Sequence, residues 1–231
     1  MEKTVVLYPG LAVSHFVPML QLADALLEAG YAVTVALIDP SLKPDIAFAA
    51  AVDDAAVTKP AVTFHTLPTI RDPPTIIYDA HFLLGYFKLV SRYNQHLHEF
   101  LCSMRDAGSV HALVMDMLSV EALDVAKKLG VPAYTFYPSN ASALATSLQI
   151  SSVRAAEKET SFGEMGDALL DLHGVPPVPA SHLFAELLES PETESHKAPS
   201  YFITFAYILK PVRMDDKAVR SGSYLGQSCI T

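Results

Sequence analysis

At 231 residues, 51% apolar and 18% charged, the chain suits one large domain, or a domain with an appendage, and a substantial core. Its net charge is -9 and its Lys and Arg residues form no dense run, which argues against nucleic acid as a partner. Cys102 and Cys229 are the only cysteines, far apart and without metal-ligand spacing, so two free thiols in a reducing compartment and no metal site are expected.

Taken in chain order, Val5-Val6-Leu7-Tyr8-Pro9-Gly10 reads as a short buried strand closed by a Pro-Gly turn. Lys3 before this apolar run resembles the start of a signal peptide, but Pro9, Gly10 and His15 interrupt the run. No apolar stretch is long enough to span a bilayer, and a cytoplasmic protein is expected. Pro18 to Ala29 reads as an amphipathic helix, with Met19, Leu22, Ala23, Leu26 and Leu27 apolar and Gly30 as its stop. His15 falls in the loop between strand and helix.

Ala32–Ile38 is a second strand, and Ser41 can cap a weak helix running to Val57. Ala61–Leu67 is a third strand, and Asp79 to Met104 carries a long helical pattern. Ala112–Met115 is a short strand, Val120–Leu129 a helix stopped by Gly130, and Ala133–Tyr137 another strand. Ser139 can cap a helix running toward Glu159. Strands separated by helices predict an α/β fold, a Rossmann-like parallel sheet flanked by helices. The domain is expected to run from 1 to 185. Gly174 to Pro179 is stiff and extended, and 186–231 is expected to be an atypical, partly disordered tail.

In an open α/β sheet, ligands bind at the carboxyl ends of the strands. Asp116 directly follows Leu113-Val114-Met115, so it shares that edge with His15. A carboxylate that accepts from one ring nitrogen fixes the histidine tautomer and stabilises the imidazolium, leaving the other nitrogen to take a proton. An Asp after a strand is also a common helix cap. His96 and His98 lie two apart on a helix and face different ways, a poor metal pair. Gly10-Leu11-Ala12 is not a dinucleotide fingerprint, and no G-x-S-x-G elbow occurs.

Two regions resemble the plant family 1 UDP-glycosyltransferases. One is Val5–Pro40, with Leu7-Tyr8-Pro9-Gly10, Ser14-His15-Phe16-Val17-Pro18-Met19 and Leu22-Ala23. The other is Ala112–Ala145, with Val114-Met115-Asp116, Leu129-Gly130-Val131-Pro132 and Ser139-Asn140. Gly174–Pro179 with His182-Leu183 is similar to a loop of that family, and Asp72-Pro73-Pro74 with Arg92 to Leu97 resembles its flavonoid-glycosylating members. The resemblance implies the N-terminal, acceptor-binding domain of a GT-B fold. It implies His15 as the base for the acceptor hydroxyl, Asp116 as its orienting acid, and inverting attack on a UDP-sugar as co-substrate, with no other cofactor. It also implies a phenolic acceptor held by Phe16, Phe82, Leu118 and Tyr137, and donor contacts from Ser14 and Ser139.

Two departures stand against the family pattern. Pro138 occupies a position where many members carry a donor-touching Thr. The family's donor box begins with a Trp, and this chain has none; no second Rossmann-like domain is expected. The expectation is therefore a chain that is weakly active or inactive alone. The rival expectation is a non-catalytic chain that binds phenolics or associates with a full-length homologue through an exposed apolar face.

Overall fold

The structure, a computed structural model, describes residues 3–39, 46–74, 82–106, 110–156 and 161–189. These fall into two compact units, one built from 3–74 and 86–138, the other centred on 139–189. The first contains a five-stranded sheet of β1 (Thr4–Tyr8), β2 (Ala32–Leu37), β3 (Val62–Thr66), β4 (Val110–Asp116) and β5 (Ala133–Phe136). The spatial order is β3-β2-β1-β4-β5, and every pair is parallel.

Sequence composition explains this order. All five residues of β1 are buried, as a central strand covered on both faces requires, whereas β3 at the edge alternates and is largely exposed. The strand order reverses between β1 and β4. A crevice at the carboxyl ends of the strands is expected at that reversal, the topological switch point. Tyr8 pairs in register with Met115, so the residues that follow β1 and end β4 emerge side by side there.

The connecting helices are α1 (Val13–Glu28), α2 (Ile46–Thr58), α3 (Phe82–Asp106) and α4 (Leu123–Leu129). Helix α1 buries Phe16, Met19, Leu20 and Ala23, a stripe at helical spacing. Helix α3 buries Tyr86, Val90, Tyr93, Leu97 and Leu101 on the same principle. Gly130 ends α4 in a left-handed conformation at φ 65°, the stop the sequence predicts.

Several boundaries differ from the sequence reading. Helix α1 begins five residues before Pro18, so His15 lies in its first turn and not in a loop. Ala12, the residue before the helix, offers no capping side chain, while Pro18 mimics a first helical position from inside the helix. Residues Met117–Ala122 form a 3₁₀ turn ahead of α4, broken by Ser119 at φ -114°. Ser41 and Asp79 lie outside the described residues. Cys102 is disulfide-bonded, so the expectation of free thiols fails at this residue, and Cys229 lies outside the described residues.

The second unit holds α5 (Ala141–Ala156), α6 (Phe162–Met165), a two-stranded antiparallel pair β6 (Leu169–Leu170) and β7 (Val178–Pro179), and α7 (Ala185–Leu188). Ile150, Phe162, Leu170, Leu172, Ala180 and Leu187 form its core. The cap of α5 is Asn140, whose Oδ1 accepts from the Ala143 amide at 2.8 Å, and not Ser139.

Candidate active site

The site is built where the switch point brings two chain segments together. His15, the third residue of α1, and Asp116, the last residue of β4, meet with Nδ1 and Oδ2 2.9 Å apart. The Asp116 side chain is fully buried, and that of His15 is 20% exposed. A buried carboxylate needs donors for its charge, and among the described residues Asp116 has two. Besides His15, the Leu118 amide donates to its Oδ1 at 2.8 Å, so the same carboxylate caps the 3₁₀ turn. One side chain thus both caps this turn and holds the His15 imidazole.

The protonation pattern follows from the partners. An ionised carboxylate only accepts, so His15 Nδ1 carries the proton and Nε2 presents its lone pair. Among the described residues Nε2 has no partner. The arrangement can therefore take a proton at Nε2 while Asp116 stabilises the resulting imidazolium.

Two further residues shape this corner. Gly10 lies against Asp116, where a Cβ would stand 2.8 Å from Oδ1 and 3.1 Å from the Tyr86 hydroxyl. Tyr86, on α3, accepts the buried Leu11 amide at 2.9 Å. Burial, with the Asp116 carboxylate next, pushes the Tyr86 phenol well above its ordinary range. Sequence reasoning did not find Tyr86. It lies 75 positions from Leu11, and within α3 it reads as one more core aromatic.

The other predicted site residues are placed unevenly. Phe16 has no exposed surface, and its ring packs edge-on against Phe48 with centroids 5.6 Å apart. It is a core residue here, as its helical spacing alone would have it. Leu118 is buried and serves the site through its backbone amide. Tyr137, just after β5, is half-buried. Phe82 opens α3, and its side chain lies outside the described residues. Ser14 is exposed in the first turn of α1, and Ser139 is exposed at the start of the second unit.

A groove of about 230 Å³ lies between α1 and α2, lined by Val17, Leu20, Gln21, Ala55 and Lys59 among others. It includes neither His15 nor Asp116. Among the described residues no cluster of three or more His, Cys, Asp or Glu could hold a metal. No described helix is long and apolar enough to cross a membrane.

Comparison with known proteins gives the chain's relatives. No family model matches the chain. A malvidin galactosylase of Oryza sativa subsp. indica is 35% identical over 202 residues, covering 81% of this chain and 39% of that protein. An anthocyanidin 5,3-O-glucosyltransferase of a Rosa hybrid cultivar is 26% identical over 218 residues, covering 89% of this chain and 44% of that protein. Over most of its length this chain is similar to plant UDP-glycosyltransferases.

Solved structures of the family agree on the fold. A UDP-glucosyltransferase from Polygonum tinctorium capable of glucosylating indoxyl superimposes with a TM-score of 0.77 at 22% identity, over 90% of this chain and 45% of that one. A Medicago truncatula protein solved with UDP-glucose gives 0.74 at 20% identity, over 89% and 43%. The chain therefore spans under half the length of the glycosyltransferases it matches, and its sheet is that of the N-terminal domain of their GT-B fold.

Proposed function

We propose that this chain supplies the acceptor side of an inverting sugar transfer from a UDP-sugar to a phenolic hydroxyl, with His15 as general base. The observation that carries the reading is the 2.9 Å contact from His15 Nδ1 to the buried Asp116 carboxylate at the switch point of the sheet. The relatives support the substrate class, since their names describe sugar transfer to malvidin and to anthocyanidins.

In this reading His15 Nε2 takes the proton from the acceptor hydroxyl as its oxygen bonds to the anomeric carbon of the sugar. The bond from that carbon to the UDP oxygen breaks, and UDP leaves with the electron pair. Attack from the face opposite UDP inverts the configuration. A phenol titrates near pH 10, within reach of imidazole assistance, which typically contributes ~100- to 10,000-fold. Tyr137 and Leu118 are the proposed apolar walls of the acceptor site, and Ser14 and Ser139 the proposed donor contacts.

The test is incubation of the purified chain with UDP-glucose and a panel of flavonoids and simple phenols, read by mass spectrometry. The expected result is slow hexosylation that falls at least ~100-fold in His15→Ala. Product formed equally well by His15→Ala overturns the assignment of the base. Stabilisation of the chain by phenols with no product from any of them replaces the transferase reading with a binding one.

A further inference from the structure

The turn that leads into α1 carries His15, and what holds this turn comes from another part of the chain. Leu11 is 1% exposed, and its amide donates to the hydroxyl of Tyr86, itself 1% exposed. A buried amide without an acceptor is strongly disfavoured, so this contact dictates where Leu11 sits. The Leu11 carbonyl is one residue from Ala12, whose own carbonyl accepts from the His15 and Phe16 amides at 3.0 and 2.8 Å. Fixing Leu11 therefore fixes the first turn of the helix that presents the imidazole.

The same hydroxyl also borders the carboxylate. The Cβ position of Gly10 lies 3.1 Å from Tyr86 Oη and 2.8 Å from Asp116 Oδ1, so the two oxygens flank one α-carbon. Because Gly10 has no side chain, the backbone of the turn packs into the space between them. Helix α3 thus reaches both halves of the pair through one atom.

We propose that Tyr86 is a positioning residue for the His15–Asp116 pair: its hydroxyl anchors the Leu11 amide and so holds the first turn of α1 in register with the end of β4. The proposal rests on the reading of His15 as the base only for its functional consequence. The geometric claim concerns the pair itself and can be read without turnover. Tyr8 provides the control. It is equally buried, on β1, and its hydroxyl has no hydrogen-bond partner among the described residues.

The experiment follows the Nδ1 proton of His15 by NMR in the full chain labelled with ¹⁵N-histidine, with the resonance assigned by its loss in His15→Gln. A proton held between imidazole and a buried carboxylate exchanges slowly with water. In Tyr86→Phe its exchange is expected to accelerate about tenfold, the scale set by loss of one buried hydrogen bond, with the circular dichroism spectrum unchanged. In Tyr8→Phe the exchange is expected to stay at the wild-type rate. Wild-type exchange in a folded Tyr86→Phe overturns the proposal, as does equal acceleration in both variants, which marks general loosening of the core. Should Tyr86→Phe fail to fold, hydrogen exchange of the Leu11 amide in the wild-type chain decides. Protection comparable to the β1 amides supports the anchor, and exchange at the rate of an open loop overturns it. Unchanged transferase activity in His15→Ala would remove the base assignment while leaving these exchange results, and hence the anchor, standing.

Discussion

Gly10 and Asp116 are packed so closely that a methyl group on the glycine would lie 2.8 Å from the carboxylate oxygen Oδ1. That oxygen cannot easily give way, because it accepts the Leu118 amide while its twin holds His15. Gly10→Ala is therefore expected to displace the carboxylate and to destabilise the chain by about 1–3 kcal/mol, the usual cost of overpacking a tight interior. Urea unfolding of the two proteins measures it, and a difference below a few tenths of a kcal/mol contradicts the close packing.

Asp116→Asn separates the charge from the shape. Asparagine keeps an oxygen for the Leu118 amide, but its amide group donates toward Nδ1 and forces the imidazole proton onto Nε2. The nitrogen that should accept the acceptor proton is then blocked. Transfer is expected to fall by roughly 10⁴-fold, the scale known for the equivalent change in a catalytic triad, with the fold retained. Single-turnover rates with a flavonoid acceptor, beside a thermal melt, test both halves of this statement. A loss of less than ~10-fold would mean that the carboxylate serves mainly as the cap of the 3₁₀ turn.

Burial holds the Tyr8 and Tyr86 phenols above their ordinary range, with neighbouring tyrosines adding at Tyr8 and the Asp116 carboxylate adding at Tyr86. Both groups favour the protonated, folded state. Their contribution is fully present below the unfolded value near pH 10 and is lost as pH rises from there through the folded values. Alkaline unfolding is therefore expected above about pH 10, with tyrosinate absorbance at 295 nm from these two groups appearing together with loss of the far-ultraviolet dichroism. Tyr8→Phe should move this midpoint upward, since it removes a titrating group and no hydrogen bond. Complete tyrosine titration of a chain that stays folded would contradict the burial.

The parallel alternation was legible because buried strands and amphipathic helices each leave their own period in the sequence. The meeting of His15 and Asp116 was legible because one ends a strand and the other opens the helix after a strand, and the carboxyl edge of a parallel sheet collects such residues. The start of α1 was not legible. Its cap is Ala12, which has no side chain to bond with, and Pro18 inside the helix imitates a beginning. The cap of α5 was misplaced by one residue because Ser139 and Asn140 are both capable, and only geometry chooses between them. Tyr86 left no local signal, since its role depends on a contact with a residue 75 positions away. What the sequence hides is long-range contact of this kind, and it decides how firmly the site is held.

In the second unit, Gly163 on α6 faces the backbone of α7. A Cβ at Gly163 would overlap the carbonyl oxygen of Leu188, an atom that cannot rotate away as a side chain would. The contact matters because Phe162 and Leu187, neighbours of these two residues, both belong to the core of the unit. Gly163→Ala is expected to push α7 off α6 and to cost about 1–3 kcal/mol. The effect should appear as faster proteolysis between α6 and α7, while the His15 Nδ1 proton of the sheet unit keeps its wild-type exchange. Gly174, at φ 72° with open space around it, is the comparison. There Ala pays only the backbone strain of a left-handed residue, about 1 kcal/mol, so its proteolysis should change less than that of Gly163→Ala. Equal sensitivity at both glycines would show that conformation, and not the close approach of α6 to α7, limits the stability of this unit.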